Sequence, residues 1–359
     1  MQDRKETCLA EQSCNHSNVP EQDGKRLTLL RNSYDPFIDF VKGVCILLVV
    51  LAHCLPPYVQ SVSLFQIWGA SAVPLFLLIQ VFHAFKKGLD TRVNIKKLWE
   101  RILKPFFFIE LIIIAIFFAK AAKANSFSFF DIFEGIIKSG GKGPGSYYPW
   151  IYVQFALVLA VVSPVFKKLH GLWLALFFIL LSQCFEIICA TSSLPAWGYR
   201  IIFFRYTFIL YLGYILATEG FVLDKKTILL SITSFICLIF FRYFDPDLRP
   251  FFYTGVWQTC HWICYYFMCI PLLFFIKFLF KKIYNTRINA LFITMGQFSY
   301  EIFLFQMLYF LHIHPVIIKT LSIVFKNDFL IQFLSVLMAL LICICPIIFY
   351  YNRKIKRRK

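Results

Sequence analysis

Charge is what this chain has least of. Only 16% of its 359 residues are charged, against about 25% in an ordinary soluble domain. Acids are scarcer than bases, 19 against 37. A soluble globule of this length could not cover its surface with so few charges while hiding 44 phenylalanines. Low hydrophobicity, the mark of a disordered chain, is missing too, since 59% of the residues are hydrophobic. There is no period-two alternation of the kind a membrane barrel needs, no repeat at a fixed period, and no apolar run ahead of Phe37 to serve as a cleavable signal. What these absences leave is an all-α, polytopic integral membrane protein.

A spanning helix needs about 20 largely apolar residues. Ten segments qualify, at roughly 37–55, 64–85, 103–119, 148–166, 171–190, 201–217, 227–242, 255–280, 290–313 and 329–351. The chain then divides into a polar tail (1–34), a ten-helix membrane domain (35–351) and a short basic tail (352–359). Ten crossings put both tails on one side. With these spans, 25 Lys and Arg fall on that side, 9 on the other and 3 within spans. Positive charge collects in the cytoplasm, so both termini are expected there. The +18 net charge is thereby mostly topology, and the RKIKRRK tail is not read as a nucleic-acid site. Of the 12 cysteines, Cys8 and Cys14 lie in the polar tail and the rest in or at the ends of spans, so no disulfide framework is implied. Cys260, His261 and Cys264 are the one grouping that suggests a metal, but four ligands are not visible there, and no metal is expected.

An ionisable residue inside a span is costly and therefore a functional suspect. The first span, DFVKGVCILLVVLAHC (39–54), carries Lys42 and His53 eleven residues apart. Eleven residues return to the same helix face within about 20°, and separate the two side chains by roughly 16 Å along the axis. Asp39 shares that face. A cation sits near the cytoplasmic end of this stripe, and an imidazole, the usual general base, lies deeper. The bland reading is a snorkelling lysine and an interfacial histidine. The shared face favours function. In KKLWERILKPFF (96–107), Lys97, Arg101 and Lys104 recur at i, i+4, i+7, which suits a phosphate-binding face as well as ordinary cytoplasmic charge. Weaker candidates are Glu110 and Glu186 within spans, Arg205 as a snorkelling cation, and Gln297, Ser299, Glu301 and Gln306 in the ninth span. His261, His312 and His314 are read as interfacial.

These residues resemble membrane acyltransferase family 3, whose members attach O-acetyl groups to cell-surface glycans. The family's opening signature, a basic residue and a histidine after ten intervening residues in an apolar run that begins near an aspartate, is similar to Asp39, Lys42 and His53. ERILKPFFF (100–108) resembles the basic stretch ending in Pro that opens span three, with Arg101 as the matching cation. SYYPWIYVQFALVLAVVSPVF (146–166), RYTFILYLGYILA (205–217) and GQFSYEIFLFQMLYF (296–310) are similar to later segments. The likeness spans 35–351. It departs at Gln80-Val81, where a Ser-Gly pair is usual, and at Gln306, where many members carry His.

The resemblance implies transfer of an acyl group, usually acetyl, from a coenzyme A thioester to a hydroxyl of a glycan or a lipid-linked saccharide precursor. Acetyl-coenzyme A is then the expected donor, held by Lys42, Lys97, Arg101 and Lys104, with His53 acting directly as base or as acyl carrier and Asp39 orienting Lys42. Tyr300 and Gln306 are candidate donors to the thioester oxygen. The expected setting is a bacterial inner membrane, with membrane lipids as the other partners and no nucleic acid. A transporter or lipid-linked glycan flippase is the rival class, and a non-catalytic receptor or scaffold is the third. The Lys42/His53 pair discriminates, since transport gives no reason for a cation at one end and a base eleven residues deeper.

Overall fold

A computed structural model describes residues 35–63, 65–86, 95–123, 134, 138, 140–192, 194–220, 222–243, 251–253 and 262–356. The polar tail 1–34, the last three residues of the basic tail, Cys8, Cys14, Cys260 and His261 lie outside them. All regular structure among the described residues is helical. The principal helices are α1 (Pro36–Cys54), α2 (Gly69–Lys86), α3 (Ile95–Lys123), α4 (Tyr147–Lys168), α5 (Gly171–Thr191), α6 (Phe203–Thr218), α7 (Lys225–Tyr243), α8 (Trp262–Lys282), α9 (Arg287–Gln297), α10 (Ser299–Val324) and α11 (Asp328–Lys356).

Eight helices among the described residues are long and apolar enough to cross a membrane. Of the other expected spans, the sixth is the shorter apolar α6, and the seventh is α7, which opens on Lys225-Lys226 and packs against α8. Large apolar side chains such as Val161, Leu172, Leu180 and Ile188 stand fully outside the core, as lipid-facing residues do. Half of α1 is buried but only 17% of α3, so α1 is a central helix and α3 a peripheral one.

The ninth segment departs from expectation. The run 290–313 is not one helix. The chain breaks at Phe298, and the long apolar crossing is α10, Ser299–Val324. The segment before the break, α9, is capped by the Thr286 hydroxyl, which accepts from the Asn289 N–H. It packs more extensively against α1 than any other pair of helices does. Two glycines permit this: a Cβ on Gly43 would lie 2.0 Å from the Phe292 carbonyl oxygen, and one on Gly296 would lie 1.7 Å from the Asp39 carbonyl oxygen. Backbone contact of this closeness is how helices associate in lipid, where burial of apolar surface supplies little drive. Phe40 completes the clamp, with its ring 5.3 Å from Phe280 of α8 and 5.2 Å from Phe292 of α9. The clamp holds the Asp39–Lys42 turn of α1 in place.

The Gln80-Val81 pair has a packing answer. A Cβ on Gly213 of α6 would fall 2.6 Å from the Val81 Cβ. The small residue that lets α2 and α6 approach is on α6, and Val81 fills the space it leaves.

Candidate active site

A cavity of about 1210 Å³ opens among α1, α2, α3, α10, the start of α4 and the loop before it. It exceeds the usual size for small-ligand sites, about 300–1,000 Å³, so a large substrate fits. Lys42 and His53 both line it, as their common face on α1 requires. Asp39 does not reach the wall. It is buried, and its carboxylate accepts from the Lys42 ammonium at 3.0 Å. An i,i+3 pair with this exposure contributes under about 1 kcal/mol of stability, so its main consequence is to aim Lys42.

His53 is exposed into the cavity and has no hydrogen-bond partner among the described residues. Its protein neighbour is the Phe310 ring, 5.6 Å away between centroids. Neither ring nitrogen is hydrogen-bonded by a described residue, so no acid among them fixes the tautomer as in a catalytic triad.

Of the three cations expected on α3, only Arg101 lines the cavity. Lys97 and Lys104 are exposed elsewhere on the helix. The i, i+4, i+7 expectation assumed a regular helix, but Trp99–Leu103 forms a π-turn. A π-turn holds an extra residue, which breaks the common face. The turn is tied to α10 by the Tyr300 hydroxyl, which donates to the Ile102 carbonyl at 2.7 Å. That phenol is thereby engaged, although Tyr300 does line the cavity. Gln306 is fully buried and is not part of the wall. Glu100, Gln297, Ser299 and Glu301 are, so the wall mixes cations with acids. Arg101 has no carboxylate within ion-pair distance among the described residues, and its planar fork suits a phosphate.

Several wall residues were not singled out by sequence pattern. Gln80 lines the cavity and donates to the Tyr152 carbonyl at 2.9 Å. His314, expected at an interface, is on the wall, with its Nδ1 3.4 Å from the Tyr309 hydroxyl. It follows a second π-turn, Tyr309–Ile313, which again re-aims the helix. His312 instead pairs with Lys120 at 3.3 Å. Lys142 and Arg200 also reach the cavity.

Two spans' acids have structural partners. Glu110 accepts the Lys142 backbone N–H at 3.0 Å. Glu186 accepts the Tyr199 hydroxyl at 2.6 Å and the Tyr253 N–H at 3.1 Å. Arg205 does not snorkel. It is fully buried, 4.4 Å from the Tyr206 ring centroid, with the Tyr147 and Tyr199 rings also within 6 Å. Tyr147 is distant in sequence while Tyr199 and Tyr206 are local, and an arginine stacked on aromatic faces can stay inside. Among the described residues, no group of three His, Cys, Asp or Glu could hold a metal ion.

Comparison with known proteins gives one family. Residues 35–350 match the model described as an acyltransferase domain. No curated protein and no solved structure matches the chain.

Proposed function

The chain belongs to membrane acyltransferase family 3, and on that footing we propose that it moves an acetyl or other acyl group from coenzyme A to a hydroxyl of a cell-surface glycan or its lipid-linked precursor. The observation that carries this reading is the placing of Lys42, Arg101 and His53 on one cavity wall. Lys42 and His53 stand roughly 16 Å apart along α1, a separation that the long pantetheine arm of the donor can bridge. On this reading both termini face the cytoplasm of a bacterial cell, where the donor is held. The excess of Lys and Arg on that side supports it.

Arg101 and the Asp39-aimed Lys42 take the donor's phosphates, and the thioester lies toward His53. The His53 imidazole removes the proton from the acceptor hydroxyl. The hydroxyl oxygen bonds to the thioester carbonyl carbon, the carbon–sulfur bond breaks, and the leaving thiolate recovers the proton from His53. A two-step route uses the same residues: the imidazole nitrogen takes the acyl group, releasing the thiol, and then yields it to the acceptor oxygen. Of the wall histidines, His83 is half-buried and contacts Phe82, and His314 meets the Tyr309 hydroxyl, whereas His53 is exposed into the cavity with no hydrogen-bond partner among the described residues.

The test is transfer from radiolabelled acetyl-coenzyme A by purified protein in lipid, with cell-envelope glycans supplied. Arg101→Ala is expected to raise the donor KM about tenfold or more, the worth of a charge-assisted phosphate contact, with a smaller change in kcat. Lys42→Ala is expected to act in the same direction. Absence of both binding and turnover with every acyl-coenzyme A tried would overturn the reading. Tyr300→Phe removes the donor that ties the π-turn to α10, and is expected to raise the donor KM several-fold through Arg101, about 1 kcal/mol for one hydrogen bond. An unchanged KM would show that the turn holds Arg101 without it.

A further inference from the structure

We infer that the His53 end of the cavity binds a negatively charged group of the acceptor saccharide through Lys142 and Arg200. The inference deepens the acyltransferase reading and rests on it.

Lys142 belongs to the loop GGKGPGS, 140–146, between α3 and α4. The loop turns on left-handed backbone at Gly140, φ 72°, and Gly145, φ 84°. It is nevertheless held firmly. Glu110, a buried carboxylate of α3, accepts the Lys142 N–H at 3.0 Å, and the Trp150 indole donates to the Gly140 carbonyl at 2.6 Å. A Cβ on Gly141 would meet the Glu110 carboxylate at 2.4 Å. The loop's one charged side chain is thus presented from a fixed backbone.

The Lys142 ammonium lies 5.5 Å from the centre of the Phe117 ring. Among the described residues no carboxylate is within ion-pair distance of it. Glu110, the nearest acid by bonding, accepts the Lys142 backbone N–H and makes no ion pair with its ammonium. A half-buried ammonium beside an aromatic ring is costly unless something anionic answers it. Arg200 reaches the same cavity from the short helix Ala196–Ile201, so two cations face it from two separate elements. Topology does not account for them. Both fall on the side where the positive-inside rule leaves cations scarce.

The surroundings suit a sugar. Tyr148 and Tyr152, both partly exposed, line the cavity with these cations and bring aromatic surface suited to sugar C–H faces. His53 opens into the same cavity from the far end of α1, so the charge would sit near the reacting hydroxyl. The shared chemistry is an anion on a saccharide. A uronate carboxylate and the phosphate of a lipid-linked precursor are its two sources.

The experiment measures acetyl transfer from labelled acetyl-coenzyme A by the purified full-length protein in neutral lipid. Three acceptors are compared: a neutral N-acetylhexosamine oligosaccharide, the same oligosaccharide ending in a uronate, and the same oligosaccharide on a lipid diphosphate. Wild type is expected to prefer at least one charged acceptor by about tenfold in kcat/KM, the scale of one charge-assisted contact. Which one it prefers identifies the source of the charge. Lys142→Gln and Arg200→Gln each lose that preference, and Lys142→Arg restores it. Lys123→Gln, at the same end of α3 but outside the wall, keeps it. The ratio of charged to neutral acceptor is the readout because a merely structural defect would lower both. Equal use of the neutral acceptor, or a preference that survives both Gln variants, overturns the inference. Acetyl-coenzyme A binding measured in the same preparation separates that result from failure of the parent reading. If donor binding is also absent, both fall.

Discussion

Replacing His53 with alanine is expected to lower acyl transfer by about a hundred- to ten-thousandfold, the usual contribution of a positioned general base. Donor binding should stay within about twofold, because the proposed phosphate ligands are elsewhere: Lys42 lies roughly 16 Å away along α1 and Arg101 belongs to α3. The asymmetry follows from the geometry. His53 opens into the cavity without a hydrogen-bond partner among the described residues, so its removal leaves no buried polar group stranded and little reason for the fold to change. Single-turnover kinetics with labelled acetyl-coenzyme A separate the two effects. Equal loss in binding and turnover would mean that His53 shapes the donor site instead of acting on the reacting atoms. Full activity in the variant would move the base elsewhere, with His314 on the same wall the next residue to replace.

Gly296→Ala is expected to be the most damaging small substitution in the membrane domain. Its new methyl carbon would lie 1.7 Å from the Asp39 carbonyl oxygen, and neither backbone can withdraw without parting α9 from α1. A cost of about 3 kcal/mol or more is expected, at the top of the range for overpacking. The damage should also reach the donor. Asp39 aims Lys42 at 3.0 Å, so displacing that turn raises the donor KM even where the protein still folds. Thermal unfolding in detergent and donor titration together test this. Gly220→Ala is the control: its φ is 75° and nothing lies within 4 Å, so only the strain of a left-handed alanine, about 1 kcal/mol, is expected there. If the two variants unfold alike, the close α1–α9 contact does not hold the site together.

The legible and illegible parts of this protein divide along a physical line. The Lys42–His53 stripe was legible because α1 is a regular helix, where eleven residues return to the same face. Arg101 was legible as part of a basic stretch, but its companions Lys97 and Lys104 were wrongly grouped with it. The π-turn at Trp99–Leu103 is invisible to a count that assumes 100° per residue. His314 was read only as interfacial; its place on the cavity wall depends on how α10 packs, which no sequence pattern displays. The break at Phe298 had no local signal. Gly296 looks like any glycine within an apolar run until α1 is packed against it. The convergence of Lys142 and Arg200 on one cavity is a product of tertiary structure alone, since it brings together residues far apart in sequence, as does the packing of the Tyr147 ring near Arg205. The all-helical membrane class, by contrast, was readable from the scarcity of charge and the length of the apolar runs.

The most direct measurement is an electron cryomicroscopy structure of the protein in lipid with a non-hydrolysable acetyl-coenzyme A analogue. The account predicts the nucleotide phosphates against Arg101 and Lys42, the pantetheine arm along the α1 face, and the acetyl carbonyl carbon of the analogue close enough to His53 for a hydroxyl to fit between, roughly 3–4 Å from that hydroxyl oxygen. An analogue bound outside this cavity, or inside it with the reactive end pointing away from His53, would contradict the assignment of donor site and base together.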